Sequence, residues 1–477
     1  MMPTQALVMD LTEIYFEVVY PVFPIFHRST LLRKVSRGEY ATNRPLLACV
    51  LALCALSSAR VRDGALYTAK WDPQSLQTPS SEELFKAARE AIPHDAPLSQ
   101  EFDYMRACVL LAITSIQYGN PRKMNYYLGL YHSFIGVGAL HDENNWPCGI
   151  DHVETEERRR VFWSTYTLDI FSSIIWGGFA KSREACFNVC YPLDSDDHDS
   201  PDQVTPTSDL PSEYPGWIKG WNFITDLYRI LEHAVDRLGR LRNPVQRTPS
   251  IEAYNERSSS LQASVLTNIM TLYEQLPPVF KTTQPLTGNL HNDLFGFQAA
   301  NIAASLQLVR MVLLTTEHST VDQKCQIASE VINGFARVPV AYLRAISAPL
   351  LHHLAGIGSI LGSVFESGLT DSTYRRVRLV LLDLANLLAN LEVDLYCKAG
   401  TSDNLRAQVS RIDEFMKNQR SVDVTGDVRG LAPWNQSGHT FPPRNYQTQQ
   451  LAMHEDSPHI QFPPELFENW SWAFDAN

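Results

Sequence analysis

Chemistry that breaks bonds or holds metals needs particular side chains at particular spacings. Cys186 and Cys190 stand four residues apart, a spacing that puts two thiolates on one face of a helix, and His198 follows in an acidic stretch. A zinc site needs a second ligand pair at a matching distance, and none follows, so the pair reads as ordinary thiols. Asp196-Asp197-His198-Asp199 has the residue types of a magnesium-diphosphate site. Its spacing does not fit a helix wall, and Pro192 and Pro201 flank it, which favours a solvated acidic turn. Gly356-Ile-Gly-Ser-Ile-Leu-Gly362 approaches both a dinucleotide-binding loop and a nucleophile elbow. Each of those needs a preceding strand, whereas these small residues lie in a helical stretch, where close helix packing is their expected role. His352 and His353 are adjacent, face different directions on a helix, and receive no role. No catalytic residue, metal ligand or cofactor is assigned, and the chain is read as not an enzyme. An all-α magnesium-dependent enzyme of secondary metabolism is the outside alternative.

The elements that position these residues are helical. Apolar residues recur at three- and four-residue spacing, while two-residue alternation is hard to find, so the predicted fold is all-α, an irregular multi-helix bundle with a disordered C-terminal tail. A first helix, Ala6 to Tyr20, ends at Pro21 and Pro24; Ser29 is predicted to cap a short basic helix, and Pro45 to open an apolar one to Leu56. Ser80 and Glu83 have capping-box spacing, and Ser99 precedes an apolar run from Phe102 to Tyr118. Further helices are predicted over Lys123 to Leu140, Trp221 to Leu241, Ser258 to Leu276, Asp293 to His318, Val321 to Ala336, Ala341 to Phe365, Ser372 to Tyr396 and Ser402 to Lys417. The domain boundaries read as 1–419 for the helical body, with an acidic loop at about 182–220, and 420–477 for a flexible tail rich in Pro, Gln, Asn and Gly.

Charge and cysteine usage narrow the function classes. With 52 acidic against 40 basic residues the formal charge is -12, which repels phosphate and argues against nucleic-acid binding by this polypeptide itself. Met1 to Asp10 lacks the basic start and apolar run of a secretory signal, and the cysteines lie mostly in apolar segments, so a reducing compartment inside the cell is expected. Pro45 to Ala59 is too short to span a bilayer, and Ala345 to Phe365 carries two histidines at its centre; both read as buried core helices.

The most distinctive segment runs from Asp151 to Asp169. Glu154, Glu156 and Glu157 meet the positive end of the helix dipole, and Glu154 to Arg158 and Glu156 to Arg160 are four-residue pairs in the favourable orientation. Val161, Phe162, Trp163, Tyr166, Leu168, Ile170, Phe171, Ile174, Ile175 and Trp176 leave no polar face, so the helix is expected to be central. Asp169 inside that run requires a basic or hydrogen-bonding partner from another helix.

Arg158, Arg159 and Arg160, followed by Val161-Phe162-Trp163 and then Asp169, resemble the hallmark of the middle homology domain of fungal binuclear zinc cluster transcription factors. Other stretches fall in the order that this resemblance implies: Tyr15-Phe16 through Val22-Phe23-Pro24-Ile25-Phe26-His27, Gly129 to His141 with its Gly138-Ala-Leu-His141 stop, Gly177-Gly178, and Tyr191-Pro192-Leu193-Asp194. Together they cover roughly residues 8 to 400, the specific part lying in the first two hundred. The resemblance implies an all-α regulatory module, sensing a small inducer in some members, with mainly structural arginines and aspartate. It also implies a DNA-reading module with six clustered cysteines and two zinc ions. Here the cysteines stand at 49, 54, 108, 148, 186, 190, 325 and 397, so no such cluster forms in this chain.

The expected function is therefore a nuclear regulator of RNA polymerase II transcription that responds to a ligand or partner, with zinc and DNA binding supplied by a module outside this chain. The alternative is a dimerising or inhibitory partner lacking that module. A ligand pocket is expected near Trp163, Asp169 and Trp176. The end of the tail, where acids alternate with Phe467, Trp470, Trp472 and Phe474, resembles an acidic activation segment. Partners expected on this reading are a second copy of the chain, the transcription machinery, a small-molecule inducer, and DNA only through the absent module. No membrane partner is expected.

Overall fold

Helix signals written into the sequence end and begin most elements of the computed structural model, which describes residues 3–176, 179–193, 216–242, 262–316, 320–346, 348–362, 364–365, 369–393 and 400–426. Among these there are sixteen α-helices and no β-strand beyond one isolated bridge between Asp142 and Asn188. In chain order they are α1 Gln5–Ile14, α2 Arg28–Ser36, α3 Arg44–Arg62, α4 Ser81–Ala91, α5 Ala96–Ser99, α6 Phe102–Gln117, α7 Pro121–Gly138 and α8 His152–Trp176. After these come α9 Ile218–Arg242, α10 Gln262–Gln275, α11 Leu290–Thr316, α12 Val321–Phe335, α13 Val340–Ile346, α14 Ala348–Gly362, α15 Asp371–Glu392 and α16 Thr401–Gly426. The tail from 427 on, including Phe467, Trp470, Trp472 and Phe474, lies outside the described residues, as does Gly177-Gly178.

Several caps follow the side-chain chemistry. Ser80 and Glu83 form a reciprocal capping box at the start of α4, Asn43 accepts from the Leu46 N–H with Pro45 in the first turn of α3, and Asn120 does the same for α7 before Pro121. One predicted cap fails. The N-cap of α2 is His27, not Ser29; Ser99 closes the short α5 ahead of the apolar run, and Glu101 is the N-cap of α6. The helix predicted over Ala341 to Phe365 divides into α13 and α14, because Pro349 has no N–H to donate to the preceding turn. The α1 helix becomes one π-helical turn over Tyr15–Val19 before Pro21 ends it.

A single contiguous apolar core runs from Leu7 in α1 to Met416 in α16. Helix α3, buried without interruption from Ala48 to Val61, is sandwiched by α4 and α6; farther along, α9 packs on α11 and α15 on α16. Its 19 residues exceed the run seen in the sequence and are long and apolar enough to cross a membrane, yet the helix lies inside this core. The glycines of the Gly356 motif serve close packing. A Cβ on Gly356 would come 2.9 Å from Ile175 of α8, and one on Gly358 would come 3.0 Å from Leu384 of α15.

Helix α7 ends on Ala139 in the left-handed region, at φ 49°, while the neighbouring Gly138 occupies a spot where a Cβ would collide with Gln100. A left-handed alanine costs about 1 to 2 kcal/mol, partly offset in a glycine replacement by the greater freedom of the unfolded chain. Ala139→Gly is thus expected to stabilise the protein by about 0.5 kcal/mol in urea unfolding. A loss of stability would show that the strain is absent.

Candidate functional site

The helix carrying the arginines is built at its start by Asp151, whose carboxylate accepts from the Glu154 N–H at 2.7 Å. From there it runs 25 residues, and from Arg160 to Ile175 nearly every side chain is buried. Each of the three arginines ties it to a different neighbour. Arg158 donates to Glu154 at 2.7 Å, the predicted four-residue pair, and stacks 4.4 Å over the Phe102 ring. Arg159 grips both oxygens of Glu143 at 2.8 Å and reaches Glu156 at 2.7 Å. Arg160 donates to the Tyr20 hydroxyl at 3.2 Å, inside the proline-flanked hook that precedes α2. The predicted Glu156 to Arg160 pair does not form, because Arg160 faces this hook while Glu156 turns to Arg159 and to the Leu193 N–H at 2.8 Å.

What α8 holds is the irregular segment 179–193. A chain without regular structure must find partners for its backbone groups elsewhere. Asp169, fully buried, accepts from the N–H groups of Lys181 and Ser182, both at 2.7 Å, and lies 3.4 Å from the Lys181 ammonium. Trp163 donates its indole N–H to the Cys190 carbonyl at 2.9 Å and packs on Tyr191, with ring centres 4.9 Å apart. Glu143 accepts from the Cys190 N–H at 2.8 Å. Burial pushes the Glu143 carboxyl up, but hydrogen bonds from Arg159 and Cys190 outweigh it and leave the group below the usual carboxylate range. Helix α9 completes the clamp. Its buried Glu232 accepts from the Tyr166 hydroxyl at 2.6 Å and the Glu184 N–H at 3.0 Å, and Arg229 and His233 pair with the Glu184 carboxylate.

Between α7, α8 and this segment lies a cavity of about 320 Å³, within the size range of small-molecule sites. Tyr131, Ile135, Phe162, Tyr166 and Phe187 supply apolar walls, and His132, His141, Lys181, Ser182 and Cys186 supply polar edges. Phe162 and Phe187 meet edge to face, 4.8 Å between ring centres. Burial holds the His132 imidazole below its ordinary pKa, with Asp169 pulling it up and Lys181 pushing it down.

Of the residues singled out in the sequence, Asp169 sits directly behind this cavity through its contacts with Lys181 and His132. Trp163 and Trp176 lie apart from each other, thirteen residues along one helix and so roughly 20 Å. Trp163 is plugged against Tyr166 and Tyr191, and Trp176 packs on Phe171. The partner required by Asp169 comes chiefly from the segment that follows its own helix, while the group on another helix, His132, stands 3.9 Å away. Cys186, at the end of a 3-10 turn over Glu184–Cys186, and Cys190 beyond it are exposed and share no helix, and among the described residues no cluster of His, Cys, Asp and Glu could hold a metal ion. Residues 194–199 and the side chains of His352 and His353 lie outside the described residues. Sequence reasoning missed His132, Lys181, Glu143, Arg106 and Glu232. Arg106 carried a signal close to that of Asp169, a charge at the edge of an apolar helical run, whereas Glu232, among Arg229, His233 and Asp236, carried none.

Over 314 residues the chain is 24% identical to the transcriptional activator protein acu-15 of Neurospora crassa, which covers 63% of this chain and 30% of the relative. The chain thus spans less than a third of that relative's length. Residues 12–280, more than half of the sequence and the whole of the clamp around α8, match the fungal specific transcription factor domain. The chain belongs to the family defined by that domain.

Proposed function

We propose that this chain is the regulatory part of a fungal transcription factor, acting in the nucleus on RNA polymerase II transcription by sensing a small ligand or a partner. DNA binding, and the zinc it requires, comes from a module outside this chain, consistent with the formal charge of -12. The observation that carries the reading is the cavity set against α8, the helix on which Arg158 to Arg160, Trp163 and Asp169 lie. A ligand there touches a segment that α7, α8 and α9 all contact, so differential affinity for two arrangements of that segment shifts the population between them. The acidic aromatic tail serves as the contact to the transcription machinery, its composition being that of a partner-binding segment.

The test is a tethered reporter assay with the full chain fused to an unrelated DNA-binding domain. Transcription above the DNA-binding domain alone is expected, falling several-fold when residues 462–477 are deleted. An inert fusion would overturn the regulatory reading for an activator, and an unchanged signal after deletion would remove the tail from it.

A further inference from the structure

We propose that the cavity between α7, α8 and the 179–193 segment binds a small organic monocarboxylate with an apolar body, its carboxylate held between Lys181 and His132. This deepens the regulatory reading and rests on it for its consequence, though not for its chemistry.

The lining residues include basic side chains, His132, His141 and Lys181, and no carboxylate. The acid within reach, Asp169, is fully buried behind the wall, with one oxygen already taken by two backbone N–H groups. That leaves donor capacity on the cavity side. The Lys181 ammonium carries three donors, and its contacts to Asn125 at 3.3 Å and to Asp169 at 3.4 Å are both long. His132 Nε2 is buried 3.9 Å from Asp169, too far for a hydrogen bond, and has no hydrogen-bond partner among the described residues. An under-used ammonium on the wall of the void, beside a buried ring nitrogen that has no partner, leaves the site short of an acceptor when His132 carries its proton on Nε2. A carboxylate supplies two oxygens in one plane and satisfies both groups with charge-assisted bonds.

The remaining walls decide the rest of the ligand. Ile135, Phe162 and Phe187 are apolar. Tyr131 and Tyr166 line the cavity too, with hydroxyls already engaged by Thr165 and Glu232. An inorganic anion would leave this surface wet, and a second carboxylate would be pressed against it at a desolvation cost. A molecule with one charge and a compact hydrocarbon body fits, and the volume of about 320 Å³ holds it to the small end of ligand sites.

The experiment uses the full chain in calorimetric and thermal-shift titrations with benzoate, phenylacetate and 3-methylbutanoate, against the three matching amides and inorganic phosphate. At least one carboxylate is expected to bind and raise the Tm, with its amide and phosphate about tenfold or more weaker. Lys181→Met keeps the backbone N–H that Asp169 holds and most of the aliphatic stem, so it is expected to fold with an unchanged circular dichroism spectrum and lose about tenfold in carboxylate affinity. His132→Gln is expected to lose less, because its amide N–H replaces one donor. Amides binding as well as acids, phosphate matching them, no binding by any carboxylate, or Lys181→Met binding unchanged would each overturn the proposal. The reporter assay separates the two readings. Carboxylate binding with an inert fusion leaves the site standing and removes the regulatory role, whereas an active fusion with no carboxylate binding does the reverse.

Discussion

Asp169→Ala is expected to lower the free energy of unfolding by about 3 kcal/mol and to free the amides of Lys181 and Ser182 for hydrogen exchange. The carboxylate is fully buried and accepts from both N–H groups at 2.7 Å, with the Lys181 ammonium alongside. Removing it strands two buried donors, each costing about 1 to 3 kcal/mol, and takes away the counter-charge of a lysine. Part of this is offset, because the variant no longer buries an anion. Asp169→Asn keeps one oxygen for both N–H groups but turns its NH₂ toward the Lys181 ammonium and removes the counter-charge, so it is expected to cost about 1 to 2 kcal/mol. Urea unfolding of the three proteins gives the order, and exchange at 181 and 182 localises it. A change below about 0.5 kcal/mol for Asp169→Ala, within the range of ordinary surface substitutions, would mean that segment 179–193 is held without this carboxylate.

Why Asp169 was legible in the sequence, and most of its surroundings were not, follows from the range of the forces. A charge inside Leu168-Asp169-Ile170-Phe171 has to be paired, so the need for a partner is visible locally. The identity of the partner is not, because Lys181 lies on a segment with no periodicity and His132 lies on a helix 37 positions earlier. The same limit explains the arginines. Helical spacing puts Glu156 within reach of both Arg159 and Arg160. The choice falls to Arg159 because Tyr20, 140 positions away, draws Arg160 to the other side. Elements whose signals are local, such as the capping box at Ser80 and the prolines at 21, 45 and 121, were readable to within a few residues. Pro349 was a local signal passed over in favour of the apolar periodicity around it, and it accounts for the division of α13 from α14. The cavity had no sequence signature, since its walls come from three elements that meet only after folding.

The second large effect is expected at Arg106, which joins the N-terminal hook to α8. Its guanidinium is 5% exposed, donates to Asp103 at 2.8 Å, pairs with Glu157 of α8, and lies 3.9 Å over the Phe102 ring and 5.0 Å over Phe26 of the hook. Glu157 in turn accepts from the His27 N–H at 2.7 Å. Burial alone would push the Arg106 pKa down; Glu157 and Asp103 outweigh it and keep the group charged. Arg106→Met is expected to cost about 3 to 5 kcal/mol, because two carboxylates are left in a buried site without their cation. Arg106→Lys keeps a charge but cannot fork between the two acids or stack on both rings, so an intermediate loss of about 2 kcal/mol is expected. Glu157→Gln still accepts from His27 while removing one of the stranded charges. The double variant Arg106→Met with Glu157→Gln is therefore expected to be more stable than the sum of the single losses by at least about 1 kcal/mol. Urea unfolding of the four proteins closes the cycle. Additivity within about 0.5 kcal/mol would show that Arg106 and Glu157 are not coupled, and that the hook is fastened without this ion pair.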